Sequence, residues 1–338
     1  MRAVSYELPK AVSETDALID VELPRPEPLG RDLLVEVKAV SVNPVDVKIR
    51  ARVRPAGDEV KILGWDAAGV VAAAGPDATL FKPGDAVFYA GAFDRPGTNA
   101  QFHLVDERIV GPKPGSLDFA EAAALPLTAI TAWEALFDRL DVRRAVPGAA
   151  RAIVIIGGAG GVGSIAIQLA RTLTDLTVIA TASRPQSKDW AQSLGAHHVI
   201  DHHRPLGAQI EALGVGQPAF VFSTTHSESY VDDIAQFIAP QGRFALIDDP
   251  KQLNVLALKR KSVSLHWEFM FTRSLLNTAD IEVQHALLRE VAALVDAGRI
   301  QTTLTKTLSP ITADTVRQAH EHVESGRAIG KIVVANWP

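Results

Sequence analysis

Gly158-Ala159-Gly160-Gly161-Val162-Gly163 is the stretch that decides the fold. An apolar run, Ala152-Ile153-Val154-Ile155-Ile156, leads into it, and an apolar helical pattern, Ile165-Ala166-Ile167-Gln168-Leu169-Ala170, leads out. Strand, glycine turn and helix in that order lift a bare G-x-G-x-x-G match to a dinucleotide site. The first glycine permits a tight turn, the second lets backbone approach a pyrophosphate, and the third lets helix and strand pack closely. Free N–H groups at the helix start, that of Val162 among them, then face the anion with the helix dipole behind them. The bland alternative is a glycine-rich turn without a ligand, and both flanks weigh against it.

The next apolar strand, Thr177-Val178-Ile179-Ala180, ends in Thr181-Ala182-Ser183-Arg184. NAD-binding folds usually place an acid here to hold the ribose 2′-hydroxyl. This strand end has none; Ser183 and Arg184 follow it, and Lys188 comes one helical turn later. A carboxylate repels a 2′-phosphate, whereas arginine binds it through charge-assisted bonds. Each such bond contributes about 1.5–3 kcal/mol, which predicts NADPH over NADH by tenfold or more. The alternative is that Arg184 and Lys188 are solvated residues at a helix start.

The chain has 338 residues, enough for two domains, with 47% hydrophobic and 22% charged residues. That composition is ordinary for a soluble globular protein. The formal charge of −5 gives no basic face for nucleic acid. No apolar run reaches bilayer length, and the N-terminus lacks a signal-peptide core, so the expected location is the cytoplasm. The cysteine count is zero, which excludes disulfides, thiolate metal ligands and a thiol nucleophile.

The first 115 residues read as mostly β: short runs such as 33–40 and 67–73 are separated by Pro and Gly, as in a barrel-like domain. Residues 119–140 show helical spacing, with Pro126 as a start or kink. Strands are then predicted at 152–156, 177–181, 198–200, 219–222 and 242–247, with helices between, notably 187–194 and 228–239. This alternation predicts a doubly wound parallel sheet. The tail reads as a helix at 281–297, a strand at 303–308, a helix at 314–324 and a strand at 332–334.

Several motifs in order carry a family resemblance: Val42-Asn43-Pro44-Val45-Asp46, Gly64-Trp65-Asp66-Ala67-Ala68-Gly69-Val70-Val71, Phe81-Lys82-Pro83-Gly84-Asp85, Pro126-Leu127-Thr128-Ala129, the glycine loop, and Gly330-Lys331-Ile332-Val333-Val334. The chain resembles the medium-chain dehydrogenase/reductase superfamily over its full length. It is most similar to the zinc-free, zeta-crystallin-like quinone oxidoreductases and to the group labelled zinc-type alcohol dehydrogenase-like. The resemblance implies an α/β chain with a GroES-like β-barrel-type substrate domain at 1–125, completed by about 300–338. A Rossmann NADP-binding domain would span 126–299. It also implies a homodimer and a small-molecule substrate, with neither nucleic acid nor membrane as partner.

The zinc enzymes of that superfamily carry cysteine where this chain has Asn43, and Gly-His-Glu where it has Gly64-Trp65-Asp66. Catalytic zinc needs three protein ligands around an open position, so no zinc is expected. Without that Lewis acid, oxidation of an unactivated alcohol is hard. A quinone or an α,β-unsaturated carbonyl accepts hydride at carbon and needs mainly orientation and hydrogen bonds to its oxygen. The expected activity is therefore NADPH-dependent reduction of such acceptors. A zinc-free alcohol or aldehyde dehydrogenase and a non-catalytic NADPH-binding protein are the alternatives.

Asn43 is a candidate amide donor to a substrate carbonyl or to the nicotinamide ribose, or else a turn residue before Pro44. Asp46 is a candidate to orient Asn43 or relay a proton, or else the N-cap of a short helix at 47–50. Trp65 and Tyr89 are candidate pocket walls, with core packing as the alternative. Trp267 and Phe269, in the aromatic stretch 266–271, line either the substrate cleft or a dimer contact. By resemblance Thr128 contacts the nicotinamide end of the coenzyme, and His202 stands where relatives place an aromatic near the adenosine phosphate. A local cap and a solvated loop are their alternatives. Ser223 and Ile247 stand at strand ends that should face the coenzyme through their backbones.

Overall fold

The computed structural model describes residues 1–56 and 60–338. The chain forms two compact units: Met1–Ile130 together with Phe271–Pro338, and Thr131–Met270.

The first unit is built on strands β1 (Arg2–Tyr6), β2 (Ile19–Glu22) and β3 (Asp32–Ser41), helix α1 (Pro44–Arg52), and strands β4 (Lys61–Ile62), β5 (Ala67–Ala74), β6 (Ala86–Tyr89), β7 (Phe102–Asp106) and β8 (Val110–Pro112). The predicted 119–140 helical stretch is three pieces: α2 (Phe119–Ala123), α3 (Pro126–Trp133) and a π-helical turn (Glu134–Arg139). Pro126 lacks the N–H that would continue α2, so a new helix starts there.

The second unit alternates strand and helix: β9 (Ala150–Ile156), α4 (Gly161–Leu173), β10 (Thr177–Thr181), α5 (Pro185–Ser193), β11 (His198–Ile200), α6 (Leu206–Ala212), β12 (Pro218–Ser223), α7 (Ser227–Phe237), β13 (Arg243–Leu246) and β14 (Ser264–Trp267). The sheet order is β11-β10-β9-β12-β13-β14, and every pair is parallel. The order reverses direction at β9, so the loop after β9 lies at a topological switch point, where open α/β sheets bind ligands. Residues such as Val154, Ile156, Ile179, Val221, Ile234 and Phe244 bury the core between sheet and helices. The edge strand β14 runs into the start of the aromatic stretch 266–271 and was not among the predicted strands. It has four residues, none of them buried, and so carries no apolar run.

The chain then returns to the first unit with α8 (Thr272–Leu275), α9 (Val283–Asp296), β15 (Leu304–Leu308), α10 (Ala313–Glu324) and β16 (Lys331–Ala335). β16 pairs antiparallel with β3, Val333 opposite Ser41, and completes a seven-stranded sheet. The 271–299 segment belongs to this unit, whereas the sequence placed it in the Rossmann domain. The cause is packing: α9 lies on β8, and Gly111 lets Leu288 so close that an added Cβ would meet its Cβ at 2.5 Å. Leu287, Leu288, Val291 and Val295 bury the apolar face of α9.

Candidate active site

The glycine loop of the second unit fits an anion. Gly157, which precedes the predicted motif, takes the left-handed turn at φ +83°. That is a correction, since the tight turn was expected at Gly158. Gly158 instead presses on β10, where an added Cβ would meet the Ala180 Cβ at 2.7 Å. Gly163 packs on the turn, where a Cβ would meet the Gly157 oxygen at 2.2 Å. Gly160 differs: the nearest atom to an added Cβ is 3.5 Å away, an ordinary contact, so its face is open. Gly160 is also the N-cap of α4, and no side chain caps that helix. The uncapped N–H groups of Gly161 and Val162 and the positive end of the dipole are the donor set a pyrophosphate requires. Ala159 is buried beside them.

Past β10, Arg184 is the N-cap of α5, with Ser187 Oγ accepting its N–H at 3.2 Å, and Ser183 is half-buried before it. Lys188 is half-buried on α5. His202 follows β11, its ring 4.5 Å from that of His203. Burial, then neighbouring His203, hold its imidazole below the ordinary range, with Arg184 and His226 adding to the effect. Lys188 and His202 therefore lie near Asp201 at the carboxyl edge, with Arg184 near His202. Ser223 ends β12 and accepts the Ser227 hydroxyl at 2.8 Å, and Ile247 follows β13 half-buried. Asp248 accepts the Ser227 N–H at 2.8 Å and so caps α7. Trp267 and Phe269 are both exposed, at 56% and 45%.

The first unit holds a closed polar network. Helix α1 begins at Pro44 with Asn43 as its N-cap, because the proline needs no hydrogen-bond partner at that position. The Asn43 Nδ2 donates to Asp66 Oδ2 at 2.8 Å and to the Ser41 carbonyl at 3.3 Å. The Asn43 Oδ1 accepts from Lys331 Nζ. Lys331 also donates to the Val42 carbonyl and to Asp66 Oδ2, each at 3.1 Å. Asp66 Oδ1 accepts the Leu127 N–H at 2.8 Å, at the start of α3. All four residues from Asn43 to Lys331 in this chain of bonds, Asp46 included, are at least 96% buried.

Asn43 cannot offer its amide to a substrate, since both N–H groups are spent inside the protein. For Asp46 it is the N-cap alternative that fails, since it is the third residue of α1; its Oδ2 accepts the Asn43 backbone N–H at 2.7 Å, which is the orienting contact expected of it. Burial pushes Asp46 up to about 7, opposed chiefly by that bond and by Lys331. Asp66 is pushed up by burial and pulled down by Lys331.

Trp65 and Tyr89 are also corrected, from pocket walls to core. Trp65 is 1% exposed, stacks on Phe93 at 5.6 Å and donates its indole N–H to the Ala92 carbonyl at 3.1 Å. Tyr89 is 0% exposed. His103 Nε2 lies 3.0 Å from the Pro96 carbonyl, which can only accept. Nε2 therefore carries the proton, and Nδ1 accepts the Tyr89 hydroxyl at 3.1 Å. Thr128 is buried on α3, and its hydroxyl donates to the Leu125 carbonyl at 3.0 Å, the local-cap alternative. The sequence missed Asp66 and Lys331 as a pair. Its only signal was that both stood inside quoted motifs.

Residues 30–131 match the alcohol dehydrogenase GroES-like domain, and residues 194–334 match the zinc-binding dehydrogenase family. A zinc-type alcohol dehydrogenase-like protein of Staphylococcus aureus is 37% identical over 99% of both chains. The chain belongs to the medium-chain dehydrogenase/reductase superfamily. Within this superfamily, a mitochondrial NAD(P)H oxidoreductase of Homo sapiens is 30% identical, over 90% of this chain and 81% of that protein. A solved Rhizobium etli structure, described provisionally as a zinc-dependent alcohol dehydrogenase, is 62% identical with a TM-score of 0.99, covering 100% of this chain and 98% of that one. Escherichia coli quinone oxidoreductase complexed with NADPH shares the fold, at a TM-score of 0.82 and 22% identity over 99% of this chain and 100% of that one. The chain is an NAD(P)-dependent oxidoreductase of the superfamily.

Proposed function

We propose that this member of the superfamily is an NADPH-dependent reductase that delivers hydride to quinones or α,β-unsaturated carbonyls without zinc. The observation that carries it is the uncapped start of α4 over the open face of Gly160, with Arg184, Lys188 and His202 gathered beyond it. A bound nicotinamide supplies the hydride. The α4 start holds the pyrophosphate, Arg184 and Lys188 take the 2′-phosphate, and the backbone at Ser223 and Ile247 faces the coenzyme. Because Asn43 and Asp46 are spent on the protein itself, water supplies the proton.

The donor set of the first unit supports the zinc-free reading. The chain has no cysteine, the Asn43 amide is committed to Lys331, Asp66 and Ser41, and the Trp65 nitrogen is a donor. A zinc site needs three free ligands. Activity is expected to survive EDTA in full; loss that added zinc restores overturns this part. Arg184→Ala is expected to raise the dissociation constant for NADPH about tenfold or more, with little change for NADH. Equal effects on both coenzymes refute the phosphate assignment.

The Rhizobium etli likeness favours a second reading, reduction or oxidation at C–O. Product analysis with an enone separates the two: a saturated ketone supports the first, an allylic alcohol the second.

A further inference from the structure

Two glutamates lie where the chain enters and leaves the second unit. Glu134 opens the π-helical turn, just after the division at Ile130/Thr131. Glu268 follows β14, just before the division at Met270/Phe271. Both side chains are 0% exposed. Arg139 spans them: its Nε donates to Glu268 Oε2 at 2.9 Å, and its Nη2 lies 3.8 Å from Glu134 Oε2. One guanidinium thus faces two carboxyl groups. One guanidinium balances one of two buried carboxylates, so the pair is neutralised only with a proton on one carboxyl oxygen.

Two other basic groups on the neighbouring strands are engaged elsewhere. Arg243, on the adjacent β13, gives its Nη1 to the carbonyls of Leu140 and Asp141, each at 2.7 Å. His266 on β14 is held below the ordinary imidazole range by burial and then by Arg243 and Arg139, and it pairs with Ser264 Oγ at 3.0 Å. Asp138, on the same turn, is exposed. The π-helical turn itself breaks the regular ladder, a deformation that recurs at functional positions.

We propose that Glu134 and Glu268 share one proton through neutral pH and act as a clasp that fastens the incoming and outgoing segments of the second unit, released when the proton is lost. Burial, and then the charge of Glu134, push Glu268 up to about 9. Below that pH the clasp is closed. Above it two buried anions face one Arg139, and the turn and the end of β14 separate.

Hydrogen exchange by mass spectrometry on peptides covering 131–140 and 264–270, corrected for intrinsic rates, tests this in the full chain. Wild-type protection is expected to hold through neutral pH and to fall about tenfold per pH unit above the release point. Glu268→Gln keeps a donor without a titrating proton, so its protection should stay flat over the same range. Infrared difference spectra near about pH 7 should show one protonated carboxyl band more in the wild type than in the variant, the Asp46 contribution being common to both. A wild type without that additional band, or a variant that loses protection as the wild type does, overturns the proposal. If Glu268→Gln does not fold, Glu134→Gln makes the same change from the other side and is judged by the same outcomes.

Discussion

Replacing Lys331 by Met tests whether the buried network is held together by charge. The ammonium is 4% exposed and donates to three oxygens, those of Val42, Asn43 and Asp66. Methionine keeps the length and apolar packing of the stem but removes the charge and all three donors. Asp66, fully buried, would then keep only the N–H groups of Asn43 and Leu127. Removing one partner of a buried pair costs about 3–5 kcal/mol, because the other charge stays uncompensated. That is a large share of the roughly 5–15 kcal/mol by which domains are stable. The sign with pH follows from Asp66. Its carboxyl is already raised by burial, and loss of Lys331 raises it further. A raised carboxyl is tolerated below its unfolded value and penalised as pH rises through its folded value. The deficit of Lys331→Met should therefore be greatest at alkaline pH and shrink on acidification. Urea unfolding followed by intrinsic fluorescence measures it across pH. The double variant Asp66→Asn/Lys331→Met removes both charges, keeps an acceptor for Leu127, and should recover most of the loss. A cost under about 1 kcal/mol for Lys331→Met at alkaline pH, or one that does not vary with pH, refutes the charge argument.

Gly160→Ala should fold and lose coenzyme affinity, since its Cβ enters the open face of the loop, whereas Gly163→Ala should destabilise, since its Cβ meets backbone at 2.2 Å; thermal melts and NADPH titration separate the two. Asp46→Asn should flatten the pH dependence of stability. The native carboxyl, raised to about 7, favours folding in acid and loses that contribution as pH rises through neutrality, so a variant whose profile matches the wild type contradicts the assignment. Tyr89→Phe should leave coenzyme binding unchanged and weaken stability by about 1 kcal/mol, the worth of one buried hydrogen bond to His103.

What the sequence disclosed was local. The glycine loop, its flanking strand and helix, and the acid-free end of β10 are each read within a dozen consecutive residues, and the structure places them together at the switch point. What it hid was long-range. Asn43 looked like a donor because nothing near it in sequence showed that Asp66 and Lys331 would consume its amide. Tyr89 looked like a pocket residue because His103, its partner, sits on another strand. The boundary near residue 299 failed for the same reason: α9 has the apolar face of any surface helix, and only Gly111 and Leu288 show which sheet it covers.

The Asn43–Lys331 network of the first unit and the α4 start of the second spend their polar groups in opposite ways, and that contrast bears on chemistry. In the first, the Asp46 and Asp66 carboxylates, the Asn43 amide and the Lys331 ammonium are turned on one another, and the nearby Trp65 and Tyr89 donors have partners. A buried set so completely paired gains definition of shape and gives up reactivity, because each group would have to break an internal bond to touch a substrate. In the second, the helix start at Gly160 has backbone donors with no side-chain cap, and Gly160 has room beside it. Unmet donors beside open space are where a charged ligand gains the most. Specificity for coenzyme should therefore be altered by point changes at Gly160 or Arg184, while changes at Asn43, Asp66 or Lys331 should act first on folding. Measuring affinity and stability on the same set of variants discriminates these outcomes, and a variant of Asn43 that folds normally yet loses turnover would return that residue to the reaction.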